Sequence, residues 1–137
     1  MDAELTARLA AGGVIGLGID LVEVDRLRQA LERHGERFVR RVFTDGEIAY
    51  CESLARPWPH YAARFAAKEA VSKCFGTGIG GEFGWKSVDV QRDEAGRPLA
   101  YLDARAQALL KVRGGREVLL SLTHTANFAQ AIAVVVA

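Results

Sequence analysis

Four polar side chains crowd one short stretch of this sequence. In RFAAKEAVSKCFGTGIGG, residues 64–81, Lys68, Glu69, Ser72 and Lys73 lie close together and a glycine-rich bend follows. Glu69 and Lys73 are spaced i,i+4 in the favourable order. On a helix they form either a solvated surface pair, worth about 0.2–0.5 kcal/mol, or the two halves of a phosphate site. In the second reading the carboxylate holds a divalent cation while the ammonium neutralises phosphate oxygens. Spacing alone favours the surface pair, with Phe65 on the same stripe, Lys68 and Ser72 on its flank, and Ala67, Ala70, Val71 and Cys74 opposite.

A second carboxylate bears on that choice. Asp20 interrupts the apolar run GLGIDLVEV, where a charge is costly unless backbone N–H groups, a partner or a cation satisfies it. Glu69 is its natural companion, because Mg2+ is often held by one or two carboxylates with phosphate oxygens and water. Spacing leaves open whether the two meet. His124, in SLTHT, reads by itself as a hydrogen-bonded structural histidine, and with Ser121 it makes no nucleophile elbow. His34 and His60 have no comparable setting. The loop Gly76-Thr77-Gly78-Ile79-Gly80-Gly81 matches G-x-G-x-x-G, but it follows a helix and precedes a strand, the reverse of the dinucleotide fingerprint. What survives is close backbone approach, to a ligand or around a helix stop.

The elements that must position these groups read as follows. Residues 14–24 form a buried β-branched strand. Asp25 is expected to cap a helix over residues 26–34 that Gly35 stops, and Glu36–Val42 forms a short further helix. Thr44 and Glu47 have the spacing of a capping box, so a helix runs to about Leu54. Arg56-Pro57-Trp58-Pro59 breaks the chain before a long helix over residues 60–75. Residues 86–92 and Pro98–Leu102 pair as a hairpin around a turn, residues 103–112 are helical, and residues 118–123 and Phe128–Val136 are the last strands. The expected class is α+β: one antiparallel sheet against a long central helix and shorter helices.

Composition narrows the function. The 137 residues, half of them hydrophobic, suit one domain, expected over residues 14–137 behind a lead of residues 1–13. No apolar run reaches the length of a bilayer span, no secretory signal is recognisable at the N-terminus, and Cys51 and Cys74 lack zinc spacing. The expectation is a cytoplasmic protein with two free thiols and no membrane partner. A net charge of +1 gives no field for nucleic acid. Residues 26–41, however, carry six arginines against two glutamates, a local +4 that leaves −3 for the remainder. Such a patch suits one acidic partner.

In order along the chain, GLGIDLVEVDRL, FTDGEI, RFAAKEAVSKCFGTGIG and SLTHT with the alanine-rich strand after it resemble the holo-acyl-carrier-protein synthases. These are small single-domain 4′-phosphopantetheinyl transferases, and the likeness spans residues 14–136. It implies transfer of phosphopantetheine from coenzyme A to a serine of apo-acyl carrier protein, in fatty acid biosynthesis, with release of adenosine 3′,5′-bisphosphate. By the same resemblance Asp20 and Glu69 are catalytic carboxylates holding Mg2+, with Mn2+ a possible substitute. Lys73 contacts the pyrophosphate and protonates the leaving group, and either Glu69 or a water on the metal takes the serine proton. Arg64, Ser72, Gly76, Thr77, Gly78 and His124 line the coenzyme A site. Arg26, Arg37, Phe38 and Arg41 dock the acidic carrier protein.

The family also implies a homotrimer with active sites between subunits, the aspartate side and the KEA-helix side coming from neighbours. Residues 1–13 and the segment 56–58 depart from the family pattern. Two rivals remain beside this reading. A broader transferase for synthase carrier domains fits the short chain less well. A non-catalytic coenzyme A or carrier-protein binding module would not need Asp20, Glu69 and Lys73 together.

Overall fold

The computed structural model describes Ala3 and residues 12–137, so the lead expected over residues 1–13 falls almost wholly outside the described residues. Along the chain run β1 (Val14–Glu23), α1 (Val24–His34), α2 (Glu36–Val42), α3 (Asp45–Glu52), α4 (Pro57–Cys74), β2 (Val88–Arg92), β3 (Pro98–Leu102), α5 (Ala104–Val112), β4 (Glu117–His124) and β5 (Phe128–Val136). The α+β class is as expected, but the strands form two sheets rather than one. β1, β5 and β4 make an antiparallel sheet in that spatial order, and β2 and β3 make a separate hairpin.

Local chemistry explains most boundaries. The Thr44 hydroxyl accepts from the Glu47 N–H while the Glu47 carboxylate accepts from the Thr44 N–H, closing the expected capping box. The Asp103 carboxylate accepts from the Ala106 N–H and starts α5. Two expectations are corrected. Asp25 does not cap α1: the helix begins one residue earlier, Glu23 holds the cap position without a side-chain bond, and Asp25 lies in the first turn, where its charge favours the helix dipole. Pro57 and Pro59 do not break the chain ahead of α4 but open it. A proline in the first turn removes only an N–H that had no helical partner.

Helix α4 lies between two apolar clusters. Its C-terminal half, with Ala66, Ala67, Ala70 and Val71, packs against Val88 and Val90 of the hairpin and Ala131, Ala133 and Val135 of β5. Its N-terminal part packs Tyr61 and Ala62 against Leu27, Leu31, Val42 and Phe43 of the shorter helices. The run of alanines lets the sheet come close. Two glycines of β1 bring it closer still. A Cβ at Gly18 would stand 1.9 Å from the Ala70 carbonyl oxygen, and one at Gly16 would stand 2.6 Å from that of Cys74. Strand and helix therefore meet backbone to backbone, two residues before Asp20.

Candidate active site

That contact brings the first and third motifs together. Asp20, on β1, and Glu69, on α4, line one open cavity of about 360 Å3 with Phe65, Arg26 and Leu27. Lys73, one turn after Glu69, donates from Nζ to Asp20 Oδ1 at 3.0 Å and to the Ile19 carbonyl at 2.9 Å. The surface pair of Glu69 with Lys73 is thus replaced by an ion pair across two elements. Its lysine side chain stays 49% exposed and its aspartate 18%. Burial, then the charge of Asp20, pushes the Glu69 carboxyl above its ordinary range, against the opposing pull of Lys73.

Two carboxylates facing one space beside a lysine fit a divalent cation. Burial and, after it, the charge of Asp20 raise the Glu69 carboxyl, and a cation bound between them would act in the opposite direction. Among the described residues no group of three or more His, Cys, Asp or Glu side chains assembles. The pair therefore suits an ion that takes its remaining ligands from phosphate oxygens and water. Asp20, Glu69 and Lys73 of a single chain come together here.

Other expected site residues divide into separate places. Arg64 and His124 line a second cavity of about 130 Å3 with His60 and Arg92. Arg64 is 3% exposed and its Nε has no hydrogen-bond partner, while the guanidinium stacks over the Tyr50 ring at 4.2 Å. A buried guanidinium N–H without an acceptor is costly. Ser72 is fully buried, and its hydroxyl donates to the Glu69 carbonyl at 2.7 Å.

Gly76, Thr77 and Gly78 form the helix stop. Gly76 has φ 72° and donates its N–H to the Lys73 carbonyl, and Thr77 Oγ1 bonds the Gly78 carbonyl. Of the docking residues, Arg37, Phe38 and Arg41 line a shallow groove with His34 and Arg40. Arg26 instead sits in the carboxylate cavity.

The sequence reading missed one arrangement entirely. Lys68 is not on the polar flank but fully buried, donating to Glu47 Oε1 at 2.7 Å and to the Trp85 and Val88 carbonyls at 2.9 and 2.8 Å. Glu47 Oε2 in turn accepts from the Val90 N–H at 2.7 Å. Burial pulls Lys68 below the usual ammonium range although Glu47 acts the other way. This knot fastens α3, α4 and β2 together beside Glu69. Cys51 and Cys74 are free, as expected, and burial lifts their thiols to about 12 and about 11. Neither is a nucleophile near neutral pH.

The sequence model of the 4′-phosphopantetheinyl transferase superfamily matches residues 16–133. A holo-[acyl-carrier-protein] synthase of Chlamydia trachomatis serovar L2 is 43% identical over 121 residues, covering 88% of this chain and 98% of that protein. The chain belongs to the holo-[acyl-carrier-protein] synthase family of 4′-phosphopantetheinyl transferases. Solved synthases share its fold. The enzyme from Neisseria meningitidis superposes with TM-score 0.83 at 29% identity, over 89% of this chain and 98% of its own. The synthase from Helicobacter pylori, solved in complex with coenzyme A, superposes with TM-score 0.77 at 28% identity, over 87% and 98%.

Proposed function

We propose that this chain, as a holo-[acyl-carrier-protein] synthase, moves the 4′-phosphopantetheine group of coenzyme A onto a serine hydroxyl of apo-acyl carrier protein, releasing adenosine 3′,5′-bisphosphate in fatty acid biosynthesis. One observation carries this reading within the family: Asp20 of β1, far in sequence from α4, shares one cavity with Glu69 and an ion pair with Lys73. Asp20 and Glu69 would hold Mg2+, which when bound supplies positive charge to the diphosphate and a template for in-line attack.

The chain's own residues do the rest. The serine oxygen forms a bond to the phosphorus that carries pantetheine, and the bond from that phosphorus to the bridging oxygen of the diphosphate breaks. The serine proton goes to Glu69 or to a water on the metal that Glu69 would hold. Lys73 leaves Asp20 for the phosphate that becomes more anionic, and protonates or neutralises it as it departs. Phe65 and Leu27 give the same cavity an apolar side. Arg64 and His124 suit the other anionic group of coenzyme A, its phosphomonoester.

Carrier docking belongs to Arg37, Phe38 and Arg41 in their groove, with Arg26 connecting that surface to the carboxylates. The homotrimer is part of the proposal as well. Leu17, Ile19 and Leu21 of β1 are 66%, 51% and 61% exposed, and Phe128 and Ile132 of β5 are 47% and 39% exposed. An apolar sheet face of that kind suits cover by further copies of the chain. A single transferase domain over residues 14–137 and a cytoplasmic location complete the reading.

The deciding experiment incubates the protein with coenzyme A, Mg2+ and apo-acyl carrier protein and weighs the carrier by mass spectrometry. The expected result is a carrier heavier by one phosphopantetheine. An unmodified carrier with every divalent metal tried would overturn the assignment.

A further inference from the structure

His60 has no role in the reaction described above, yet it stands in the Arg64–His124 cavity. It lies one helical turn before Arg64 on α4, and its ring meets that of His124 edge-on, with centroids 4.7 Å apart. Arg92, from β2, is the fourth cationic or potentially cationic group lining the space. From α3 the Tyr50 ring also faces His60, at 6.0 Å, and the Tyr50 hydroxyl accepts from Arg92 Nη1. No carboxylate lines the cavity among the described residues. Two imidazoles and two guanidinium groups thus converge with no counter-charge lining the cavity.

We propose that His60 is a phosphate-binding residue of this cavity, taking up a proton from solvent when a phosphomonoester dianion enters and so making binding tighter toward lower pH. The inference rests on the assignment of the cavity to the phosphomonoester of coenzyme A. Without an anion, protonation of His60 is disfavoured by burial first, then by His124, Arg64 and Arg92, which together hold it below its ordinary value. A dianion reverses the electrostatic part of that balance, since it attracts the same proton that the cations repel. The sign follows. Where the bound state holds more protons than the free state, affinity falls as pH rises, by at most tenfold per pH unit for one proton.

The test is calorimetric titration of the full chain with coenzyme A from pH 6.5 to pH 8.0, in two buffers of different ionisation enthalpy, for the wild type and for His60→Phe and His60→Gln. Phenylalanine keeps the ring packing and glutamine keeps a donor, so the pair separates packing from proton uptake. The wild type should lose affinity severalfold across this range and show net proton uptake. Both variants should lose the uptake and flatten the pH dependence. Dephospho-coenzyme A, which lacks the phosphomonoester, should bind wild type and variants alike, with no uptake to distinguish them.

Equal proton uptake and equal pH dependence in wild type and both variants would overturn the role of His60 while leaving coenzyme A binding intact. A difference that persisted with dephospho-coenzyme A would overturn the phosphomonoester assignment. Failure of the wild type to bind coenzyme A at all would overturn the functional reading beneath both.

Discussion

Helix α4 carries two lysines five residues apart, each paired with a carboxylate from another element, and their circumstances are opposite. Lys68 is sealed, with three oxygens around its Nζ and a glutamate that is itself held by two backbone N–H groups. Lys73 is half open, and its partner Asp20 shares a cavity with a second carboxylate. A fully satisfied buried pair has little capacity to respond to a substrate, because any movement strands a charge in a low-dielectric interior. An open pair costs little to break and so can change partners during a reaction. One helix thus joins a fixed anchor to a working group, and the anchor lies next in sequence to Glu69.

Substitutions can break this contrast, and the largest effect is expected at the anchor. Glu47→Ala leaves Lys68 buried and unpaired, and denaturant unfolding should show a loss of about 3–5 kcal/mol. Lys73→Ala should cost about 0.2–1 kcal/mol of stability while removing most turnover. If the two stability losses were equal, the division between anchor and working group would be wrong.

Next in size come Asp20→Asn and Glu69→Gln. Each should lower kcat on the order of a hundredfold or more with an unchanged far-ultraviolet circular dichroism spectrum. Near-normal turnover in either would remove that residue from the site. Gly18→Ala should follow, because its methyl group has no room against the Ala70 carbonyl. About 1–3 kcal/mol of stability should be lost together with activity, since the helix must move away from Asp20. The smallest effect is expected at the docking groove. Arg41→Glu should raise KM for the carrier protein a fewfold with kcat retained, and added salt should narrow the difference.

The same contrast shows how far the sequence could be read. The capping box at Thr44 and Glu47 was visible because both partners lie within one helical turn. The second use of Glu47, against Lys68 and Val90, was not, because it depends on how α3 meets α4 and β2. The helical wheel placed Lys68 beside the polar stripe, yet the hairpin covers that flank and turns it into interior. Spacing along α4 offered Lys73 only Glu69, whereas Gly16 and Gly18 deliver Asp20 from a strand some fifty residues away. Those glycines stand within a motif, and nothing local shows that their missing side chains set the gap. His60 had a usable signal: it precedes Arg64 by four residues, which puts both on one helix face. His124 and Arg92 reach that face only through tertiary structure.

Strand β5 separates β1 from β4 and is the sheet partner of β1, with Asp20 opposite Ala131. Asp20 therefore leaves the ribosome well before its sheet partner, and its place in the sheet is fixed only after β5 has emerged. Until then the helix bearing Glu69 and Lys73 is complete but faces no opposing carboxylate. Assembly of the Asp20–Glu69 cavity is thus tied to the emergence of β5, well after both of its carboxylates have been synthesised.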